Sequence, residues 1–117
     1  MQLNEYPEAI AQAQRSLLLQ TQQVRELRVA LADMDANIKY TVAFDMDLKN
    51  DRQREAQILE LKGSPGYLSL VQELQEAQDK QSNLEIELER LRNHFAVAKL
   101  EIRERIAHME VGERSLD

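Results

Sequence analysis

The sequence predicts a mainly α-helical fold, an antiparallel helical hairpin of coiled-coil type that carries one short inserted β-strand. Two observations predict the helices. Apolar residues recur every seven positions along most of the chain, and 31% of the 117 residues are charged while only three are glycine. A third observation, an alternating apolar pattern between residues 38 and 48, predicts the strand. At this length we expect a single domain over residues 1–117.

The first helix is predicted over residues 7–37. Pro7 suits the first turn of a helix, where a missing N–H costs nothing, and Glu5 and Glu8 lie where the helix dipole favours acids. Steps of seven residues, each with a companion three residues later, predict one face of a coiled coil. The residues at these steps are Ile10, Ala13, Leu17, Gln20, Val24, Leu27, Leu31, Met34 and Ile38.

The segment 38–48 changes period, because apolar and polar residues alternate along it. This pattern, rich in β-branched and aromatic residues, is typical of a strand, and a continuing helix is the alternative. A lone strand would expose unpaired N–H and C=O groups, so a second copy is expected to pair with it and give a homodimer or a higher closed oligomer. The predicted oligomer interface is formed by Ile38, Tyr40, Val42, Phe44, Met46 and Leu48.

Two further helices are predicted, a short one over residues 51–62 and a long one over residues 65–109, followed by a tail over 110–117. Asn50 suits the N-cap of the short helix, and Pro65 suits the first position of the long one. The seven-residue steps of the long helix fall on Tyr67, Leu74, Gln81, Leu88, Phe95, Ile102 and Met109.

The closure of the hairpin is predicted from matching lengths. The segments 51–62 and 66–77 have equal lengths, so they are expected to pack together across a turn at 63–66. The segments 7–37 and 79–109 also have equal lengths and are expected to pair in the same way. Gln81 is the polar exception in this seam, and its expected role is to select the register.

The residue inventory predicts a protein that is not an enzyme, with no catalytic residues, no metal site and no cofactor. Cysteine is absent, which excludes disulfides, Cys-based zinc sites and thiol nucleophiles. His94 has no carboxylate three or four residues away, and His108 has only Glu104 four residues before it, so ordinary histidines on a helix flank are favoured over metal ligands. There is also no apolar run of the roughly 20 residues that a membrane span needs, and the N-terminus does not resemble a signal peptide. We therefore expect a cytoplasmic protein with no membrane contact.

Basic residues form two local groups that are candidates for contact with phosphate or with a partner. They are Lys49, Arg52, Arg54, Arg90 and Arg92. The net charge of −6 opposes nonspecific binding to nucleic acid, so alternating charges on a solvated helix face are the favoured interpretation. Nucleic acid is accordingly a secondary expectation.

Three stretches, KNDRQR at 49–54, SPGYL at 64–68 and LRNHFAVAKL at 91–100, together resemble small helical coiled-coil proteins of phages and prophages. Proteins of that group often accompany recombination functions, which implies an accessory or mediator role in contact with single-stranded DNA or a recombinase. The chain size and the strand between coiled-coil arms also resemble prefoldin subunits, which implies a holdase. The leading expectation is a noncatalytic, self-associating structural or adaptor protein that binds itself and another protein.

Overall fold

The computed structural model describes the backbone of residues 1–116 and the side chains of residues 1–112, and it confirms that the fold is mainly α-helical. A short 3-10 helix, Leu3–Glu5, leads into α1, Tyr6–Ala43. Helix α2 spans Asp51–Lys62, and α3 spans Pro65–Leu116. Helix α1 thus continues past residue 37, and α3 continues through most of the stretch predicted to be a tail.

The predicted strand is wrong, since residues 1–116 contain none and α1 runs on to Ala43. The alternating pattern has a helical explanation, because residues four apart share one helix face. Ile38 and Val42 lie on the inner face of α1, whereas Tyr40 and Phe44 lie on its solvent side. The backbone is hydrogen-bonded within the helix as far as Phe44, whose N–H donates to the carbonyl of Tyr40 at 3.1 Å. The N–H groups from Ile38 to Phe44 therefore donate within the helix and not to a second copy.

The chain divides into two compact units. The central unit comprises Leu19–Gln81, and the terminal unit comprises Met1–Leu18 together with the chain from Ser82 onward. Helices α1 and α3 each contribute to both units, whereas α2 belongs to the central unit alone.

In the central unit, α2 runs antiparallel to α1. Arg54, near the start of α2, lines a groove with Ala43 at the end of α1. Lys62, at the end of α2, approaches Asp35, with its Nζ 3.9 Å from the carboxylate Oδ1. Later residues of α2 thus lie beside earlier residues of α1. The chain therefore reverses its direction at residues 44–50.

The first part of α3 runs antiparallel to α1 as well. The hydroxyl of Tyr67 donates to Asp35 Oδ1 at 2.8 Å, and the Nε2 of Gln20 donates to the carbonyl of Ala77 at 2.9 Å. Helices α2 and α3 therefore follow one another along α1 in the same direction. The predicted packing of 51–62 against 66–77 across a turn is wrong.

The junction between α2 and α3 is a break in the helix rather than a reversal. Gly63 has near-helical backbone angles, φ −85° and ψ −1°, and its N–H still donates to the carbonyl of Leu59. Pro65 has no N–H and interrupts the helical hydrogen-bond ladder. The ladder restarts where the N–H of Leu68 donates to the carbonyl of Ser64 at 3.0 Å. The predicted start of the long helix at Pro65 is confirmed, but the chain keeps its direction there.

In the terminal unit, the start of α1 packs on α3 near Phe95. The rings of Tyr6 and Phe95 stack with their centroids 5.4 Å apart, and the Nζ of Lys99 lies 4.4 Å from the centre of the Phe95 ring. Leu88 is buried in the same unit. The predicted pairing of 7–37 with 79–109 would have brought residue 7 near residue 109, so the observed register is shifted by more than ten residues.

The seven-residue seam itself is confirmed as far as Ile102. All nine seam residues of α1 and the seam residues of α3 from Tyr67 to Ile102 are buried or half-buried, whereas Met109 is exposed. The polar seam residues have partners within the central unit. Gln20, with only 5% of its surface exposed, donates to Ala77 as described, and the Nε2 of Gln81 donates to the Oγ1 of Thr21 at 3.1 Å.

We expect Gln81→Leu to raise the melting temperature, because an apolar side chain at a core position gains from burial, and to permit additional assembly states, because a register-specific hydrogen bond is lost. Thermal unfolding followed by circular dichroism, with the mass measured by light scattering, checks both effects. Gln75→Leu, on the exposed face of the same helix, is the control. A lower melting temperature together with a single unchanged mass would contradict this role of Gln81.

Candidate interaction surface

The reversal of the chain presents an exposed apolar cluster, formed by Tyr40, Phe44 and Met46 and called here the reversal cluster. Their exposed fractions are 67%, 70% and 89%. The two rings pack against each other, with centroids 4.6 Å apart. The chain has only five aromatic residues, and the other three, Tyr6, Tyr67 and Phe95, make contacts inside the units.

Local hydrogen bonds hold the turn that carries the cluster. The carboxylate of Asp45 accepts from the N–H of Asp47 at 3.0 Å, which is the pattern of an Asx turn. Asn50 caps α2 as predicted, since its Oδ1 accepts from the N–H of Gln53 at 2.9 Å. Gln53 in turn accepts from the N–H of Lys49. Phe44 and Met46 therefore project from a structured turn.

The six residues predicted as an oligomer interface do not form one surface. Val42 is buried, and Ile38 and Leu48 are half-buried, so these three stabilise the central unit itself. The remaining three are the reversal cluster. Beside it lies a shallow groove of about 470 Å³, lined by Ala43, Phe44, Asp45, Met46, Leu48 and Arg54.

Charged residues of both signs follow the cluster along the chain, and Asp45 and Arg54 line the groove beside it. The Nη1 of Arg54 lies 3.1 Å from Asp51 Oδ1, an ion pair within α2, while Lys49 and Arg52 are exposed. The exposed Asp47 adds negative charge to the same turn. An apolar centre with a mixed polar rim has the composition of a protein-binding surface, whereas contact with a nucleic acid backbone requires an excess of positive charge.

The other two basic candidates, Arg90 and Arg92, lie in the terminal unit. The Nε of Arg90 is 3.6 Å from Glu87 Oε2 on the same helix, and Arg92 is exposed. The two basic groups thus belong to different units, and each has a carboxylate partner within its own helix. Neither unit gathers all five candidates into one site.

A polar cluster at the helix break was not predicted. Asp35 accepts the hydrogen bond from Tyr67 and lies near Lys62, as described, and it is half-buried. The hydrogen bond to Asp35 raises the pKa of Tyr67 above its ordinary value of 10.0, with desolvation and the negative charge of Asp35 acting in the same direction. Asp35 lies outside the seven-residue pattern, so periodicity gave no signal for it. The cluster fixes the position of the break beside α1.

Comparison with known proteins gives no match, since no family model, no curated protein and no solved structure is significantly similar to this chain. The described residues include no group of three metal-ligating side chains placed to hold an ion. No helix in the described part of the chain combines the length and the apolar character needed to cross a bilayer.

We expect the double variant Arg52→Ala, Arg54→Ala to keep its helical circular dichroism, with a free energy of unfolding within about 1 kcal/mol of the wild type, because exposed ion pairs contribute about 0–1 kcal/mol. Urea denaturation measures the stability. In parallel, filter binding to single-stranded DNA over a salt series should give no salt-dependent affinity for either protein. A wild-type affinity that falls steeply with salt and is lost in the folded double variant would instead assign a phosphate contact to these residues.

Proposed function

We propose that this chain is a noncatalytic, self-associating coiled-coil adaptor that presents the reversal cluster to another protein. One observation carries the proposal: two of the five aromatic residues and a methionine lie exposed at the end of α1 and on the hydrogen-bonded turn that follows it. Scattered apolar residues on a surface need no explanation, but an ordered group of aromatic side chains and methionine has the composition found at the centres of protein interfaces.

The side chains of the reversal cluster suit burial against a protein partner. Tyr40 and Phe44 each have few rotatable bonds, and their mutual packing restricts them further, so burying them costs little conformational entropy. Met46 adds a flexible and polarisable side chain that adapts to different apolar surfaces. Lys49 and Arg52 supply charge at the rim, where it affects orientation and association rate more than affinity.

Two other functions follow less directly from the described residues. A mediator role in contact with single-stranded DNA would use Lys49, Arg52 and Arg54, but the acids in and beside the same turn offset their charge. A prefoldin-like holdase was expected from an inserted strand, which residues 1–116 do not contain. The adaptor function needs only the exposed cluster and its ordered turn.

Site-specific photocrosslinking tests the proposal in living cells that encode the protein. A benzophenone amino acid replaces Phe44 in one variant and Leu19 in a control, because Leu19 is 67% exposed and also lies in the central unit. We expect irradiation to attach a discrete protein at position 44 and none at position 19. Equal labelling at both positions, or no product at position 44, would contradict the proposal.

A further inference from the structure

Helix α3 extends well past the start of α1. Tyr6, the first residue of α1, stacks on Phe95, and Met1 lines a groove with Val97 and Glu101. From residue 102 to its end at Leu116, α3 has 15 more residues, or about 22 Å of helix at 1.5 Å per residue. Every residue from 103 to 112 is exposed.

The apolar seam continues along this extension. Ile102, Ile106 and Met109, called here the C-terminal stripe, follow at steps of four and three residues and so share one helix face. Ile102 is half-buried, whereas Ile106 and Met109 are 50% and 63% exposed. The stripe is in phase with Phe95 and Ala98, which form the packed face of α3 inside the terminal unit. It therefore presents a coiled-coil face beyond the start of α1.

The charges of the extension are arranged asymmetrically. Residues 99–108 contain three basic and two acidic residues, while residues 109–117 contain one basic and three acidic residues. Arg103 and Glu110 are seven residues apart and lie on the same flank of the stripe. In a parallel pair, the flank that carries Arg103 and Glu110 lies on opposite sides of the interface in the two copies, so neither residue faces its counterpart. Antiparallel pairing brings Arg103 of each copy against Glu110 of the other.

We infer that the C-terminal stripe binds the same stripe of a second copy of this chain, antiparallel, with a twofold axis near Ile106. The inference rests on the proposed self-association and assigns the surface for it. In this arrangement Ile102 packs against Met109 of the second copy, Ile106 meets its counterpart, and two reciprocal Arg103 to Glu110 pairs flank the contact. Flanking charge pairs of this kind set partner choice and orientation in coiled coils, and a twofold pairing closes the assembly at a dimer.

Sedimentation equilibrium over a range of concentrations tests the interface with a matched pair of variants. Ile106→Ser removes the central apolar contact, while Leu100→Ser alters a residue of similar exposure, 56%, two positions from Ile102 and so on the opposite side of α3. We expect Ile106→Ser to raise the dimer dissociation constant at least about tenfold. Leu100→Ser should leave the constant unchanged, and circular dichroism should show that both variants keep their helices.

Charge exchange tests the orientation. Glu110→Arg should weaken the dimer, because it places positive charges against Arg103 at both ends of the contact. Adding Arg103→Glu to the same chain should restore the dissociation constant toward the wild-type value, since the pairs are then re-formed with their signs exchanged. An unchanged or still weaker dimer in the double variant would overturn the antiparallel pairing.

The same sedimentation experiment distinguishes a wrong dimer surface from a failure of the proposed self-association. A wild-type dimer that Ile106→Ser leaves intact and Phe44→Ser dissociates would overturn the inferred surface and assign self-association to the reversal cluster. A wild-type mass that stays at the 13.6 kDa of one chain at every concentration would overturn both the inferred dimer and the proposed self-association.

Discussion

The reversal of the chain at residues 44–50 decides which residues meet along α1. Because α1 ends at Ala43 and the turn directs α2 back along it, the inner face of α1 in the central unit is covered first by α2 and then by the beginning of α3. The break at Ser64 and Pro65 permits this succession, since it interrupts the hydrogen-bond ladder without changing the direction of the chain. The reversal also leaves Tyr40, Phe44 and Met46 exposed.

Polar side chains then fix the alignment that the apolar seam leaves open. Leucine and alanine at seven-residue steps pack almost equally well when one helix is shifted by a heptad, so apolar contacts alone specify register weakly. The hydrogen bonds from Gln20 to Ala77 and from Gln81 to Thr21 are satisfied in only one alignment. Asp35 also fixes the alignment, because at the helix break it accepts a hydrogen bond from Tyr67 and lies close to Lys62. Each of these groups would lose its partner after a shift.

The sequence predicts local features of this fold better than the path of the chain. The seam positions, the Asn50 cap and the start of α3 at Pro65 follow from periodicity and capping chemistry, which act within a few residues. The strand was mispredicted because Ile38 with Val42 and Tyr40 with Phe44 form two faces of a helix and also imitate a period of two. The reversal was expected at residues 63–66 because the segments on either side match in length, whereas the hydrogen bonds of Asp45 and Asn50 set the actual turn. Three of the six predicted interface residues, Tyr40, Phe44 and Met46, remain exposed beside this turn.

The position of the reversal can be tested directly by cross-linking engineered cysteine pairs, because the chain has no cysteine of its own. In the described alignment, Gln20→Cys with Ala77→Cys replaces two residues that are in hydrogen-bond contact across α1 and α3, so a short bifunctional maleimide should cross-link them within one chain. Ile58→Cys with Leu70→Cys joins positions twelve residues apart on successive helices that run in the same direction, about 18 Å of helix, and the same short reagent should not link them. The account predicts a cross-link in the first variant only. A cross-link in the second variant and none in the first would place the reversal at residues 63–66 and contradict it.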